Sequence, residues 1–185
     1  MSETESITKT KWIIDPAHSE IGFKVRHLMI TNVKGVFKEY EASIYTVGED
    51  FTTAEVHVVV NPASVDTGDP NRDAHLKGPD FFDTEEHTQI HFTSDDAYDI
   101  IDNDGSYDVY GDLTIKGIKK QIKLAIEFGG IQKDPWGNVK AGMTVNAKIN
   151  RKDWGLNWNA ALETGGVLVS EEVKISGEIQ FVKQS

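Results

Sequence analysis

The stretch YDVYGDLTIKGIKKQIKLAIEF, residues 107–128, decides the fold. Tyr107, Val109, Leu113 and Ile115 share one side with Gly111 between them, while Asp108, Tyr110, Asp112 and Thr114 take the other. Beyond Lys116-Gly117, Ile122, Leu124, Ile126 and Phe128 alternate with Lys123, Ala125 and Glu127. Side chains of a β-strand point alternately to opposite faces, so each run is a strand with one apolar and one wet face. Lys116-Gly117 is a turn dipeptide, and a short turn between two strands makes them antiparallel neighbours.

The same period extends in both directions. Ile21, Phe23, Val25 and His27 form one apolar face; Ala54, Val56, Val58 and Val60 form another. Met143, Val145, Ala147 and Ile149 repeat it, as do Val173, Ile175, Ile179 and Phe181. Residues 35–45 and 89–101 read as two less regular strands, and Asp104-Gly105 and Pro135-Trp136-Gly137 mark further hairpins. About eight strands with one apolar face each predict an all-β domain, a closed antiparallel barrel or a sandwich. One long excursion, residues 61–87, interrupts the strands. Within it Asp69 can cap a short helix with Pro70 at its first position and Gly78 just past its end. Excursions of this length are usually lids or binding loops.

The chain has 185 residues, a formal charge of −11, 38% apolar residues and no cysteine. That length suits one domain with a real core. Absence of cysteine excludes disulfides, thiolate metal sites and cysteine nucleophiles. The acidic balance argues against nucleic acid and against adsorption to anionic membranes. Residues 1–11 are polar, without the apolar stretch of an export signal, and no segment reaches about 18 apolar residues. The expectation is a cytoplasmic protein with no stable membrane insertion, a flexible tail over 1–11 and a barrel domain over 12–185.

A closed barrel of about eight strands holds either packed side chains or one small ligand. On pattern alone a filled core is the simpler outcome. Small residues on the apolar face, Ala54, Gly111, Ala147 and Gly177, are expected to leave volume inside.

Four segments bear on that choice: WIIDPAHSEIGFKVRH at 12–27 with VKGVF at 33–37, NRDAHLKGPDFFD at 71–83, GDLTIKG at 111–117 and INRKDWGLNW at 149–158. Together, and in this order, they resemble the YceI-like family. The resemblance implies a lipocalin-like antiparallel β-barrel with a long apolar tunnel. It also implies a carrier or buffer of a long-chain amphiphile: a polyisoprenoid, an isoprenoid quinone or a fatty-acid derivative. Many members are exported to the periplasm; without an export signal that role is not carried over. Homodimers are common in the family, although no residue pattern here encodes one. Candidate tunnel-lining residues are Phe23, Val25, Phe37, Phe81, Phe82, Phe92, Leu113, Met143 and Trp154. Each could equally fill core. Arg72, His75 and His27 are candidates for the ligand's head group, since a guanidinium grips anionic oxygens by paired donors. Alternatively, Arg72 pairs with a nearby carboxylate, His75 caps or packs, and His27 is a satisfied core histidine.

Other chemistry finds less support. His87 and His91 would lie about 13 Å apart on one strand face, too far for one ion, and no His-Glu-x-x-His spacing occurs. No metal and no cofactor beyond a bound lipid are therefore expected. Asp15, His18 and Ser19 are neighbours in sequence, whereas a hydrolytic triad must converge in space, and no Gly-x-Ser-x-Gly elbow is present. The chain is read as a non-enzyme. Two other readings stand beside the carrier: an enzyme acting on such a lipid through His75 or His27, and a filled-barrel stress or interaction module.

Overall fold

The structure is a computed structural model that describes residues 8–95, 100–159 and 168–184. Its strands are β1 (Lys9–Ile14), β2 (Glu20–His27), β3 (Thr31–Phe37), β4 (Tyr40–Val47), β5 (Asp50–Val60), β6 (Val65–Asp66), β7 (Ile90–Ser94), β8 (Ile100–Asp102), β9 (Ser106–Ile115), β10 (Ile118–Lys133), β11 (Val139–Asn150) and β12 (Val169–Lys183). One α-helix, α1 (Pro70–Lys77), lies between β6 and β7. Among the described residues no helix is long and apolar enough to cross a membrane.

Eight strands close an antiparallel ring in the order β1-β4-β5-β7-β9-β10-β11-β12, and β12 returns to β1 through Trp12↔Lys183, Ile13↔Val182 and Ile14↔Phe181. The barrel expected from the sequence is thus present. Its seed hairpin has the expected register: Ile122 faces Gly111, Leu124 faces Val109 and Ile126 faces Tyr107. Lys116 and Gly117 both take left-handed backbone, φ 52° and 73°, as a tight hairpin turn demands.

The ring uses a different set of strands from the sequence reading. Residues 35–45 are two strands, because Lys38 and Glu39 leave the ladder. The Lys38 and Glu39 N–H groups donate to Ser64, to its carbonyl and hydroxyl oxygens respectively, and Asn61 N–H donates to the Glu39 carbonyl. Residues 89–101 likewise yield β7 and β8, both paired with β9. β1 starts at Lys9, inside the segment expected as a tail: Lys9, Thr10 and Lys11 already pair with Val47, Thr46 and Tyr45. The first seven residues lie outside the described ones. Strands β2, β3 and β6 extend the sheet beyond the ring, since the first half of β12 pairs with β2, β2 with β3, and β3 with β6. β12 is long enough, at 15 residues, to serve β1, β11 and β2.

The inward faces form one core running from Trp12, fully buried, to Leu156, with the buried Trp154 packed in the wall beside it. The expected volume at the small residues is largely taken. A Cβ on Gly111 would stand 2.5 Å from the Phe92 ring and 2.5 Å from the Thr93 carbonyl oxygen. A Cβ on Gly177 would meet Ile179 at 3.1 Å. Ala147 lines an outer groove instead, while Ala54 and Gly177 line the cavity.

Candidate functional site

The barrel encloses a cavity of about 410 Å³, within the range of small-molecule sites. Its walls are the inward aliphatic side chains: Val56, Val58 and Val60 of β5, Val109, Leu113 and Ile115 of β9, Ile122, Leu124 and Ile126 of β10, and Ile175 and Ile179 of β12. From Val173 to Phe181 the wall runs about 27 Å along β12, or roughly 20 Å along the barrel axis at the usual strand tilt.

One end is sealed by rings. Trp12 packs on Phe51 with centroids 5.1 Å apart, Phe51 on Phe128 at 4.9 Å, and Tyr107 edge-on to Phe128 at 6.0 Å. The Trp12 Nε1–H donates to Thr46 Oγ1 at 3.0 Å, so the buried indole is satisfied. Burial pushes the Tyr107 phenol up, keeping it neutral.

The polar groups gather at the opposite end. Asp69 caps α1 by accepting from the Asn71 and Arg72 N–H groups, with Pro70 and Gly78 in their expected places. That turn sets Leu76, Phe81 and Phe82 over the cavity, and Phe82 meets Phe37 edge-on at 5.8 Å. His75 lies edge-on to Trp158 at 4.8 Å and to Phe81 at 5.1 Å, while its Nε2 meets Asp80 Oδ2 at 2.9 Å. Arg72 directs Nε to Thr67 Oγ1 and Nη2 to the Thr67 carbonyl, both at 2.8 Å. His27, paired with Val169, closes the circuit.

Eight of the nine expected tunnel residues line this cavity: Phe23, Val25, Phe37, Phe81, Phe82, Phe92, Leu113 and Met143. So do Arg72, His75 and His27. Trp154 does not. It is buried outside the cavity, where the β10–β11 ladder stops at Ala125↔Asn146 and the 3-10 turn Arg151–Trp154 fills the wedge. Its Nε1–H donates to the Leu113 carbonyl at 2.9 Å. The tryptophan therefore plugs the wall rather than facing the interior.

Sequence reasoning missed Arg151. It is 3% exposed and lines the cavity. Its guanidinium donates to four carbonyl oxygens, those of Leu156, Trp158, Val169 and Ser170. Burial pulls its pKa down from the usual arginine range, with Glu171 acting in the opposite sense. The signal was available: Arg151 stands within INRKDWGLNW at 149–158, beside two tryptophans in an otherwise polar turn.

Arg26, His27, Arg72, His75 and Arg151 are the ionisable side chains at this end, and no aspartate or glutamate joins them among the described lining residues. Asp80 pairs with His75 just outside that lining, so the guanidinium groups of Arg26, Arg72 and Arg151 are what favour a negative group at the cavity mouth.

The other chemistry is structural. Asp15 accepts from the Ala17 N–H and pairs with His18 at 2.9 Å and Lys140 at 3.0 Å. Ser19 Oγ instead exchanges hydrogen bonds with the Gln180 backbone, so the three residues do not converge as a triad. Among the described residues no three His, Asp or Glu gather where one ion could be held.

The model of the family described as the YceI-like domain matches residues 12–181. The UPF0312 protein SERP2314 of Staphylococcus epidermidis is 38% identical over 173 residues, covering 93% of this chain and 97% of that protein. The Campylobacter jejuni YCEI protein has the same fold, with a TM-score of 0.71, 32% identity and full coverage of both chains. Burkholderia cenocepacia BcnA superposes with a TM-score of 0.77 at 21% identity, over 90% of this chain and 98% of that one. A polyisoprenoid binding domain from Saccharophagus degradans, implicated in plant cell wall breakdown, superposes with a TM-score of 0.67 at 16% identity, over 97% of this chain and all of that one.

Proposed function

Because the chain belongs to the YceI-like family and encloses an apolar, ring-sealed cavity with a cationic mouth, we propose that it binds a long-chain amphiphile and acts as its carrier or buffer. The observation that carries this reading is the division of the cavity into a dry aliphatic shaft and one end bearing Arg72, His75, His27, Arg26 and Arg151. A hydrocarbon or prenyl chain in the shaft gains about 0.8 kcal/mol per methylene removed from water. A polar or anionic head remains at the mouth, where charge-assisted hydrogen bonds are strongest. The polyisoprenoid binding domain from Saccharophagus degradans shares the fold and supports an isoprenoid as the first ligand to try. An isoprenoid quinone or a fatty-acid derivative fits the same shaft. His75 is packed edge-on to Phe81 and Trp158 and pairs with Asp80, an arrangement that fixes its ring at the mouth.

Native mass spectrometry of freshly purified protein tests this reading, followed by delipidation and titration with a prenyl phosphate and a fluorescent fatty acid. A lipid adduct, or stoichiometric probe uptake after delipidation, is expected. No adduct and no uptake would overturn the proposal. Met143→Asp plants an uncompensated carboxylate in the shaft and should abolish uptake while circular dichroism reports an intact barrel. Recovery of a chemically altered probe would favour the enzyme instead.

A further inference from the structure

The outer wall near the mouth carries a charge pattern opposite to the chain's net −11. Lys148 faces Lys174 across β11 and β12, Lys174 faces Lys24 across β12 and β2, and Lys24 faces Lys34 across β2 and β3. Four lysines thus form one row directly across four adjacent strands. Lys120 and Lys123 of β10 join them along a groove of about 1040 Å³, in which Glu20 and Asp153 are the acids. None of the six lysines forms an ion pair with a described residue. Like charges placed directly opposite destabilise a sheet, so the row is not accounted for by the fold.

A second observation lies on the same hairpin. The β2–β3 tip is Leu28-Met29-Ile30, with 40%, 50% and 72% exposure. Leu28 and Met29 adopt left-handed backbone, φ 54° and 64°, a conformation favouring glycine or asparagine. Three consecutive large apolar side chains therefore stand in water where the turn geometry calls for small polar ones. The tip adjoins the cavity mouth: His27 and Leu168 both line the cavity, and Leu28 N–H donates to the Leu168 carbonyl. Lys24 and Lys34 each lie three residues below the ends of the hairpin, about 10 Å along the strand, close to a Debye length at physiological salt.

We propose that the Leu28–Ile30 tip and the lysine row together dock the cavity mouth on an anionic lipid bilayer. The tip enters the headgroup region, and the lysines supply the attraction to the surface. The acids around α1 are largely engaged within it: Asp69 caps the helix, Asp73 accepts from the Thr67 N–H and hydroxyl, and Asp80 pairs with His75. On β12, Glu171 and Glu172 stand between row and rim, and Lys152 pairs with Glu171 at 2.7 Å. The inference rests on the carrier reading for its purpose, and the two are separable by experiment.

Vesicle flotation of delipidated protein tests the docking. One set of vesicles is phosphatidylcholine; the other contains about one third phosphatidylglycerol. The wild type should float with the anionic vesicles, stay behind with the neutral ones, and be released by salt. Each lysine charge lost should weaken binding about fivefold. Lys24→Glu/Lys174→Glu, which also relieves repulsion within the row, should therefore lower flotation more than twentyfold. Met29→Ser/Ile30→Ser should lower it on the same vesicles without changing the fold. Three results would overturn the docking: wild type left in solution, equal flotation of the lysine variant, or a tip variant that turns a dimer into a monomer while floating as before, which assigns the tip to a second copy. Prenyl probe uptake without vesicles is measured on the same samples. Its failure counts against the carrier reading alone.

Discussion

Arg151 donates through Nη1 to the carbonyl oxygen of Trp158 at 2.9 Å, and among the described residues no carboxylate pairs with its guanidinium. A buried cation hydrogen-bonded only to carbonyl groups fixes the backbone of 156–158 and 169–170 to the end of β11. Arg151→Lys keeps the charge but cannot fork to four acceptors. A loss of about 3 kcal/mol is expected, from orphaned carbonyls and charge-assisted bonds. For a domain of this size that lowers Tm by about 6–12 °C, readable by calorimetry. An unchanged Tm would show that the guanidinium is not what pins this segment.

Ala54 is a small side chain in the wall of the shaft. Ala54→Phe places a ring in existing space, so the ligand-free protein should gain about 0.5–2 kcal/mol. The ring displaces two or three methylenes of any bound chain, and uptake should fall more than tenfold. Thermal unfolding and probe titration on one sample check both signs. Stability and affinity falling together would mean that the ring does not enter the shaft.

Trp154 separates wall from lining. Trp154→Phe removes the donor to the Leu113 carbonyl and should cost about 1–2 kcal/mol. Since the indole faces away from the cavity, ligand affinity should hold. A weakened affinity without global destabilisation would move Trp154 back into the ligand site.

Asp15 links the turn before β2 to β11. The His18 ring, and next the Lys140 ammonium, hold its carboxyl below the usual carboxylate range. Such a group stabilises the fold fully above its unfolded pKa, and the contribution is lost as pH falls through the lower folded value. Asp15→Asn keeps an acceptor for the Ala17 N–H and removes the charge. At neutral pH the variant should be less stable by up to about 1 kcal/mol. The gap should close as the pH is lowered through the acid range. A gap independent of pH, followed by thermal melts, would locate the effect in something other than charge.

Much of the fold was legible because alternation is a local signal. Tyr107 to Phe128 show their faces without help from distant residues, and the helix start at Asp69-Pro70 is set by chemistry within one turn. The identity of the ring strands was not local. Nothing in Lys9 to Ile14 announces that this segment pairs with both β4 and β12. Nor does the run from 35 to 45 reveal a break, which is made by Asn61 and Ser64 some twenty residues on. At the site, the aromatic and aliphatic lining followed from the inward face. Trp154 was misplaced because a buried tryptophan reads the same in a wall and in a tunnel. Arg151 was missed because an arginine satisfied by carbonyl groups has no partner residue type to find in the sequence. The space at Gly111 was misjudged for a related reason: its missing side chain is filled from the neighbouring strand by Phe92.

The seam between β1 and β12 has a consequence for how the molecule is born. The first strand of the ring hydrogen-bonds to β12, so the ring cannot shut until β12 is available. Synthesis proceeds from the N-terminus, and contacts between chain ends are the slowest kind to form. Until β12 arrives, β1 and β11 each lack the ring neighbour that the closed barrel gives them. Unpaired strand edges and uncovered apolar faces make that interval the one in which aggregation competes with closure.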